Sequence, residues 1–557
     1  MSALNEKGRR ANLALALGVN AAFLALMLLC FAPMWETNDD LLMSKFVDGQ
    51  LSRKTAYVPF INICLGWTLK TLYTLLGDGF NWYSAAQYLL LCLGFTALTW
   101  VLLERFRRFP ALVMTAVLLG AFGTDCYLSM NFSKPAAVAT VGGMSLLLTA
   151  MEREGKERAR LNLLGVALGL CGYVWRFEEF GVCALLLACV FFSQSRGKTL
   201  RARGRELAPF VLLAALAVGL FAVNHLAWHR PEIDAYKTFD DTRSILIDFE
   251  IPAYAEMPEV YDRLKIDENF VYLMKNWSFY DTERFTLPAM ETLIEARASL
   301  LPHRTLGEVL GVFLNECLPG YPLDRPFAGF AFLLALWLAC GRRRGRDWLG
   351  LALMGGIFLA FTFFMIYNER YLVNRIDIGL FLAMALALSF TLDPEKLDRE
   401  RLTLLAVLCL SLFVTWRANR PYCRFDSHNV IEDKSAEKAA VQRVLADTEH
   451  LYFVKVWAID HNLYSPLETP PRGYADRLVH IGGWSMHHPV IEALLADWDI
   501  QNPWRDLLDR EDVCLIDHDI DRSLAYLRRF YAPNAAAELI QPISSETGYQ
   551  IYRLTSS

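Results

Sequence analysis

Two adjacent acids, Asp39 and Asp40, close the motif Trp35-Glu-Thr-Asn-Asp-Asp40, which follows the first apolar block of the chain directly. Neighbouring carboxylates repel each other's ionised forms, so one of them gains a proton more easily unless a cation or hydrogen-bond donors intervene. Such a pair suits a general base, a ligand for a divalent cation, or a plain solvated turn. Further along, arginines with carboxylate neighbours recur between apolar blocks, at Arg176-Phe-Glu-Glu179 and at Asn368-Glu-Arg-Tyr371, followed by Arg375 and Asp377. Lys134 follows Asn131-Phe-Ser in a similar position. Cations at headgroup depth are what a phosphate group needs. The bland reading of Arg176 with Glu178 and Glu179, and of Arg370 with Glu369, is an internal ion pair that fixes helix contacts; for Lys134 it is a snorkelling side chain.

These residues must be positioned by membrane spans. Of the 557 residues 54% are hydrophobic, and they come in long blocks rather than at the short spacing of amphipathic elements, the pattern of helices in lipid. A span needs roughly 20 apolar residues. Candidates fall near 12–34, 81–103, 109–127, 135–151, 161–175, 180–193, 207–228, 327–340, 347–367, 376–391 and 402–417. The first resembles a signal peptide but is too long and lacks a small-residue exit, so it reads as an uncleaved span. Alternate connections are rich in Lys and Arg: Arg105–Arg108, Arg153–Arg160, Arg196–Arg205, Arg342–Arg346 and Lys396–Arg401. By the positive-inside rule these face the cytoplasm, with the N-terminus inside and the C-terminus outside. The Arg176 turn lies between two arms of only about 15 apolar residues each, which sinks it below the lipid surface.

The fold expected is therefore a mostly α-helical polytopic membrane protein of about 11 transmembrane helices with an extracytoplasmic α/β C-terminal domain. Residues 1–228 form an N-terminal membrane module with a first outer loop at 35–80, and 229–326 an outer cap. Residues 327–417 form the remaining helices and 418–557 the α/β domain. Val58–Leu76 is apolar yet lies between two outward points, so it lies along the interface or dips in and returns. In the cap, Leu287–Leu300 and Leu306–Leu318 read as helices. In the tail, Ala436–Leu445 and Arg522–Tyr531 read as helices, and Leu451–Trp457, Val513–Ile516 and Gln550–Leu554 as strands. His480-Ile-Gly-Gly-Trp-Ser-Met-His-His-Pro489 is the tail's most distinctive stretch. Its glycines mark a tight turn, and adjacent His487 and His488 point apart on most backbones, against a shared metal. Tyr236–Arg243 with Asp248 could overhang the site or simply begin the cap, and Trp277 could stack on a sugar or belong to the cap core. With a net charge of −5 and no phosphate-binding Gly-rich loop, nucleic acid and nucleotides are not expected partners.

At this point the chain resembles the GT-C superfamily of polytopic, polyprenyl-phosphate-sugar-dependent glycosyltransferases. In these an acidic pair follows the first span, interface-lying helices and a second span come next, and a soluble domain closes the chain. Asp39-Asp40, Val58–Leu76, the span from Asn81 and the tail from about 432 match that order. The resemblance implies transfer of a sugar from a polyprenyl phosphate to an envelope glycan, lipid or protein acceptor at the outer face of the cell membrane. It implies Asp39 as the base, with Asp40 or Glu36 orienting it or binding a metal. From topology alone, Arg176, Arg370, Arg375 and Lys134 are the candidates for the lipid phosphate, supported by Glu178, Glu179 and Glu369. A polysaccharide polymerase or ligase, leaning on the arginines and indifferent to Asp39, and a transporter or flippase of a lipid-linked substrate are the competing readings.

Overall fold

Each of the eleven apolar blocks is helical in the computed structural model, which describes all residues except 1, 196–198, 250, 301–303, 322–323, 343, 371–372, 426–433, 472, 475, 544–547 and 557. Tyr371, Arg343 and the start of the basic connection at Arg196 therefore lie outside the described residues. The helices are Ser2–Cys30, Trp82–Arg105, Arg108–Leu128, Ser133–Ala150, Gly155–Trp175, Phe177–Ser195, Leu200–Trp228, Arg325–Cys340, Gly345–Tyr367, Asn374–Ser389 and Arg401–Asn419. Among the described residues six helices are long and apolar enough to cross a membrane. A seventh is added if Leu306–Gly320 and Arg325–Cys340, which meet at 85°, count as one bent span. The shorter count arises where charge or length intrudes: Lys134 at the start of Ser133–Ala150, a charged first turn in Gly155–Trp175, and 16 residues in Asn374–Ser389.

Ser133–Ala150 is buried along its whole length, whereas the outer helices turn apolar faces outward. Leu13, Leu17, Leu26 and Leu29 are exposed on the first helix, Val211, Leu212, Leu216 and Val218 on Leu200–Trp228, and Leu402, Leu405, Leu410 and Leu412 on the last. A band of this kind needs lipid rather than water around it, and the chain is a polytopic membrane protein. Its two ends differ. At one end the basic connections bind each other's acids: Arg9 and Arg153 reach Glu104 at 3.6 and 3.2 Å, Arg105 reaches Glu152 at 2.8 Å, and Arg107 reaches Asp398 at 2.7 Å. The connections expected on the outer side meet at the opposite end, around a single cavity.

Val58–Leu76 behaves as a surface segment. Its helix, Ile63–Leu76, is capped by the Asn62 side chain, which accepts from the Cys64 N–H at 3.0 Å. Leu65, Leu69 and Tyr73 are buried while Trp67, Leu75 and Leu76 are exposed, and 14 residues are too few to cross. In the former cap segment, Leu287–Leu300 is helical as expected. The next helical stretch, Leu306–Gly320, packs against Gly345–Tyr367 through Phe313 and Phe363, 5.4 Å apart. Leu306, Leu310, Leu314 and Leu318 form an exposed stripe at four-residue spacing.

The tail carries a five-stranded sheet. Numbering from the two short extended segments β1 (Met34–Trp35) and β2 (Ser129–Met130), its strands are β3 (Leu451–Val454), β4 (Leu478–His480), β5 (Val513–Asp517), β6 (Ala536–Pro542) and β7 (Gln550–Thr555), in the order β4-β3-β5-β7-β6. The first three are parallel, with Tyr452 opposite Leu478 and Leu451 opposite Val513, and β7 and β6 run antiparallel. The strands β3, β5 and β7 are those expected from the sequence. β4 has only three residues, and β6 is an edge strand whose residues are mostly exposed, so neither shows the periodicity that marks a strand. The sheet is tied to the 229–300 segment through Asp281, a fully buried carboxylate. It accepts from the Tyr526 and Tyr531 hydroxyls at 2.5 and 2.6 Å and from Asn502 Nδ2 at 3.0 Å, the dense donor set that a buried charge requires.

Candidate active site

The acidic motif is fixed by two strand-like contacts. β1 pairs in parallel with β2, and the Glu36 N–H donates to the Met130 carbonyl at 2.9 Å. From the tail, Asn462 accepts from the Trp35 N–H at 2.6 Å and donates to its carbonyl at 3.0 Å. The helix Asn38–Asp48 then begins after extended Thr37, which puts Asp39 and Asp40 in its first turn, where backbone N–H groups favour carboxylates. Consecutive helical residues point about 100° apart, and that separation splits the pair. Asp39 lines the cavity, and its Oδ1 accepts from the indole Nε1 of Trp484 at 2.9 Å. Asp40 turns inward, where its Oδ1 accepts from the Tyr83 hydroxyl and from Gln87 Nε2, both at 2.8 Å. Burial pushes the Asp40 carboxyl up to about 7, against those two hydrogen bonds, with Asp39 and Glu36 adding repulsion.

The cavity has a volume of about 700 Å³. It is also lined by Glu36, Arg176, Glu178, Arg370 and Arg375, so with Asp39 residues from three separate stretches of sequence meet at one place. Arg176 lies between two helices, bonded to Glu179 at 2.9 Å and to the Ser133 hydroxyl at 2.7 Å, and over the Phe132 ring at 4.9 Å. Glu178, at 3.6 Å, is mostly exposed. Arg370 lies over the Phe249 ring at 5.0 Å, and among the described residues no ion pair engages it. Arg375 is unpaired among the described residues as well, and its Nε is buried without a partner. Glu369 does not line the cavity; it binds Arg297 at 2.9 Å.

Lys134 is the sequence candidate placed most differently. It is fully buried behind the cavity wall, bound to Glu36 at 2.7 Å, to Asp125 at 2.9 Å and to the Ser129 carbonyl at 2.6 Å. Asp125 in turn binds Arg325 at 3.0 Å and Asn374 at 2.9 Å. Sequence reasoning passed over Asp125, although an acid inside an apolar block is itself a signal. Among the described residues no group of three His, Cys, Asp or Glu side chains is placed to hold a metal ion. His487 pairs with Glu492 at 2.9 Å, and His488 with the Tyr57 carbonyl at 3.0 Å.

The far wall comes from segments that sequence reasoning left unassigned. Tyr236, Asp240, Asp241, Arg243, Asp248 and Trp277 line it from one side. Arg243 is bound to Asp240 at 2.8 Å and Asp248 at 3.2 Å and lies over Trp277 at 5.5 Å. From the tail comes the turn after β4. A Cβ on Gly482 would lie 1.9 Å from the Trp277 carbonyl oxygen, and Gly483 has φ of +92°, so glycines alone let this turn press against the cap. The turn delivers Trp484 between Phe46 and Phe60, with ring centroids 5.6 and 5.3 Å away, and the Trp484 carbonyl accepts from Tyr236 at 2.9 Å.

No protein-family model matches this sequence, and no curated protein matches it. Two crystal structures are similar to the chain over 97% of its length and 97% of theirs: ArnT from Cupriavidus metallidurans bound to undecaprenyl phosphate, and the same protein in the apo state. Identity is 13% and the TM-score 0.42 for both. No residue role is carried across from either structure.

Proposed function

We propose that this protein is a membrane glycosyltransferase that moves a sugar from a polyprenyl phosphate to an acceptor hydroxyl. The observation that carries the reading is the shared cavity, which has a carboxylate, Asp39, on one wall and the guanidinium groups of Arg176, Arg370 and Arg375 on another. Asp39 takes the proton of the acceptor hydroxyl as its oxygen attacks the anomeric carbon. The bond from that carbon to the phosphate oxygen breaks with inversion, and the polyprenyl phosphate leaves with its negative charge facing the arginines. Arg370 and Arg375 suit this task because neither is held in a close ion pair among the described residues, although Glu179 acts on Arg375 at longer range; Arg176 is partly engaged by Glu179. Glu36 and Lys134 brace the wall, and Asp40 orients its helix. The exposed apolar side chains Phe60, Phe177 and Phe221 at the cavity offer a path for a prenyl chain. The cavity end faces outward in this reading, with 229–326 and 418–557 extracytoplasmic at the cell membrane, because the basic connections gather at the other end.

The test is Asp39→Asn, an isosteric change that keeps an acceptor for the Trp484 indole. Transfer from a polyprenyl-phosphate sugar is expected to fall by roughly 10²–10⁴, with protein level and unfolding unchanged. Full transfer by that variant would sink the reading and favour a polymerase or ligase that relies on the arginines.

A further inference from the structure

The far wall of the cavity is built from the carboxyl ends of two parallel strands. β3 ends at Val454 and is followed by Val456 and Trp457; β4 ends at His480 and is followed by Gly483, Trp484 and Ser485; all but Val454 line the cavity. Open parallel sheets hold ligands in the crevice outside the carboxyl ends of their strands, where successive connections diverge. Between β3 and β5 that crevice is closed by the buried ion pair of Lys455 and Asp517, at 2.8 Å. The β3 and β4 ends are thus the open part of the edge, and they open onto Asp39.

Trp457 stands out there. It is 55% exposed and lines the cavity, whereas Trp484, which faces the same space, is 6% exposed and packed on both faces. An indole held in the open inside a polar cavity offers a flat apolar surface without any packing role to explain it. The two histidines of this wall are uncharged. Burial pushes the His480 imidazole down to about 4 and lowers that of His461, against the pull of Asp460. Both are neutral near pH 7, each with one donor and one acceptor nitrogen. The nearby cations are committed: Arg243 to Asp240 and Asp248, and Lys237 to Asp241. A flat apolar platform beside neutral donors and acceptors matches an uncharged sugar ring, and the two cavity arginines without a close ion pair among the described residues, Arg370 and Arg375, are those assigned to the donor phosphate.

Resting on the glycosyltransferase reading, we propose that Trp457, His461, His480 and Ser485 form the acceptor subsite and that the acceptor presents an uncharged pyranose to it. The ring stacks on Trp457 and turns one hydroxyl toward Asp39, whose carboxylate is held at this wall by Trp484.

The experiment uses the full-length protein in lipid nanodiscs on an array of neutral oligosaccharides and their uronic and phosphorylated counterparts, with undecaprenyl phosphate binding followed in parallel by native mass spectrometry. The wild-type protein is expected to bind at least one neutral series in preference to its anionic counterparts. Trp457→Ala should weaken that binding about tenfold and Trp457→Phe by less than about threefold, with undecaprenyl phosphate binding equal in all three proteins. Equal saccharide binding by Trp457→Ala and wild type, preference for the anionic series, or no saccharide binding beside intact undecaprenyl phosphate binding each overturns the subsite. Absence of undecaprenyl phosphate binding in the wild-type protein overturns the glycosyltransferase reading instead.

Discussion

Asp40→Asn separates the two acids of the motif by an effect on stability rather than on activity. Asp40 is fully buried, and burial raises its carboxyl from the ordinary 3.8 to about 7. Between those values the folded chain holds a proton that the unfolded chain has released, so stability falls as pH rises from about 4 and the loss is complete above about 7. The two limits bound the effect at about 4 kcal/mol, of which roughly 2–3 kcal/mol develops between pH 5 and pH 8. Asparagine keeps the oxygen that accepts from Tyr83 and Gln87 and has no charge to expel. The stability of Asp40→Asn relative to wild type is therefore expected to rise by that roughly 2–3 kcal/mol over the same pH interval. Unfolding of both proteins by sodium dodecyl sulfate in mixed micelles, followed by tryptophan fluorescence at pH 5, 6.5 and 8, measures it. A difference that does not change with pH, or that shrinks as pH rises, would show that Asp40 is ionised in the folded protein and refute the division of the pair.

Trp484→Phe keeps an aromatic ring between Phe46 and Phe60 but removes the donor to Asp39. A hydrogen bond to a charged group contributes about 1.5–3 kcal/mol, so kcat for transfer should fall about 10–100-fold with undecaprenyl phosphate binding unchanged. Arg375→Gln removes an unpaired guanidinium from the cavity and should weaken undecaprenyl phosphate binding about tenfold or more while leaving thermal unfolding near wild type; unchanged binding would remove Arg375 from the donor site. Lys134→Met leaves Glu36 facing the wall and Asp125 short of one partner, and should cost about 3–5 kcal/mol of stability. A selective rise in donor KM at wild-type stability would instead return Lys134 to the phosphate.

Long-range order in the fold was legible wherever one physical constraint dominated. A helix in lipid must be apolar for its whole length, so all eleven blocks could be read as helices without any knowledge of their packing. Whether each one crosses is a different matter. Ser133–Ala150 starts with Lys134 and is sheltered by its neighbours on every side, and a helix covered by protein need not satisfy the lipid. The same reasoning accounts for Asp125: composition alone flagged the block as apolar, yet two cations, Lys134 from the next helix and Arg325 from 200 residues away, make its charge tolerable. Leu306–Gly320 could be read as a helix from its sequence but not assigned to cap or membrane, for the opposite reason. Its apolar stripe repeats every four residues, which reads equally well as the core side of a soluble cap helix or as a lipid-facing surface.

The site was half legible. Asp39 and the arginines could be found because charge at membrane depth is rare enough to stand out, and the cavity brings them together. The other half comes from the tail, where charge and aromatic residues are ordinary and carry no such signal. The stretch His480–Pro489 drew notice for the adjacent His487 and His488, and these serve packing: His487 pairs with Glu492 inside the tail, and His488 ties the tail to the Tyr57 carbonyl. Its contribution to the site instead runs through Gly482, Gly483 and Trp484, whose meaning depends on the Trp277 carbonyl and the Asp39 carboxylate, some 200 and 445 residues away in sequence. Coupling of that kind has a functional consequence. Because Asn462 holds Trp35 and Trp484 holds Asp39, Asp39 keeps these contacts only when the tail is seated on the membrane helices. In the proposed mechanism proton abstraction is thereby tied to the presence of the same wall that offers Trp457 to an acceptor, and a polyprenyl-phosphate sugar bound without that wall would face a carboxylate that lacks its indole partner.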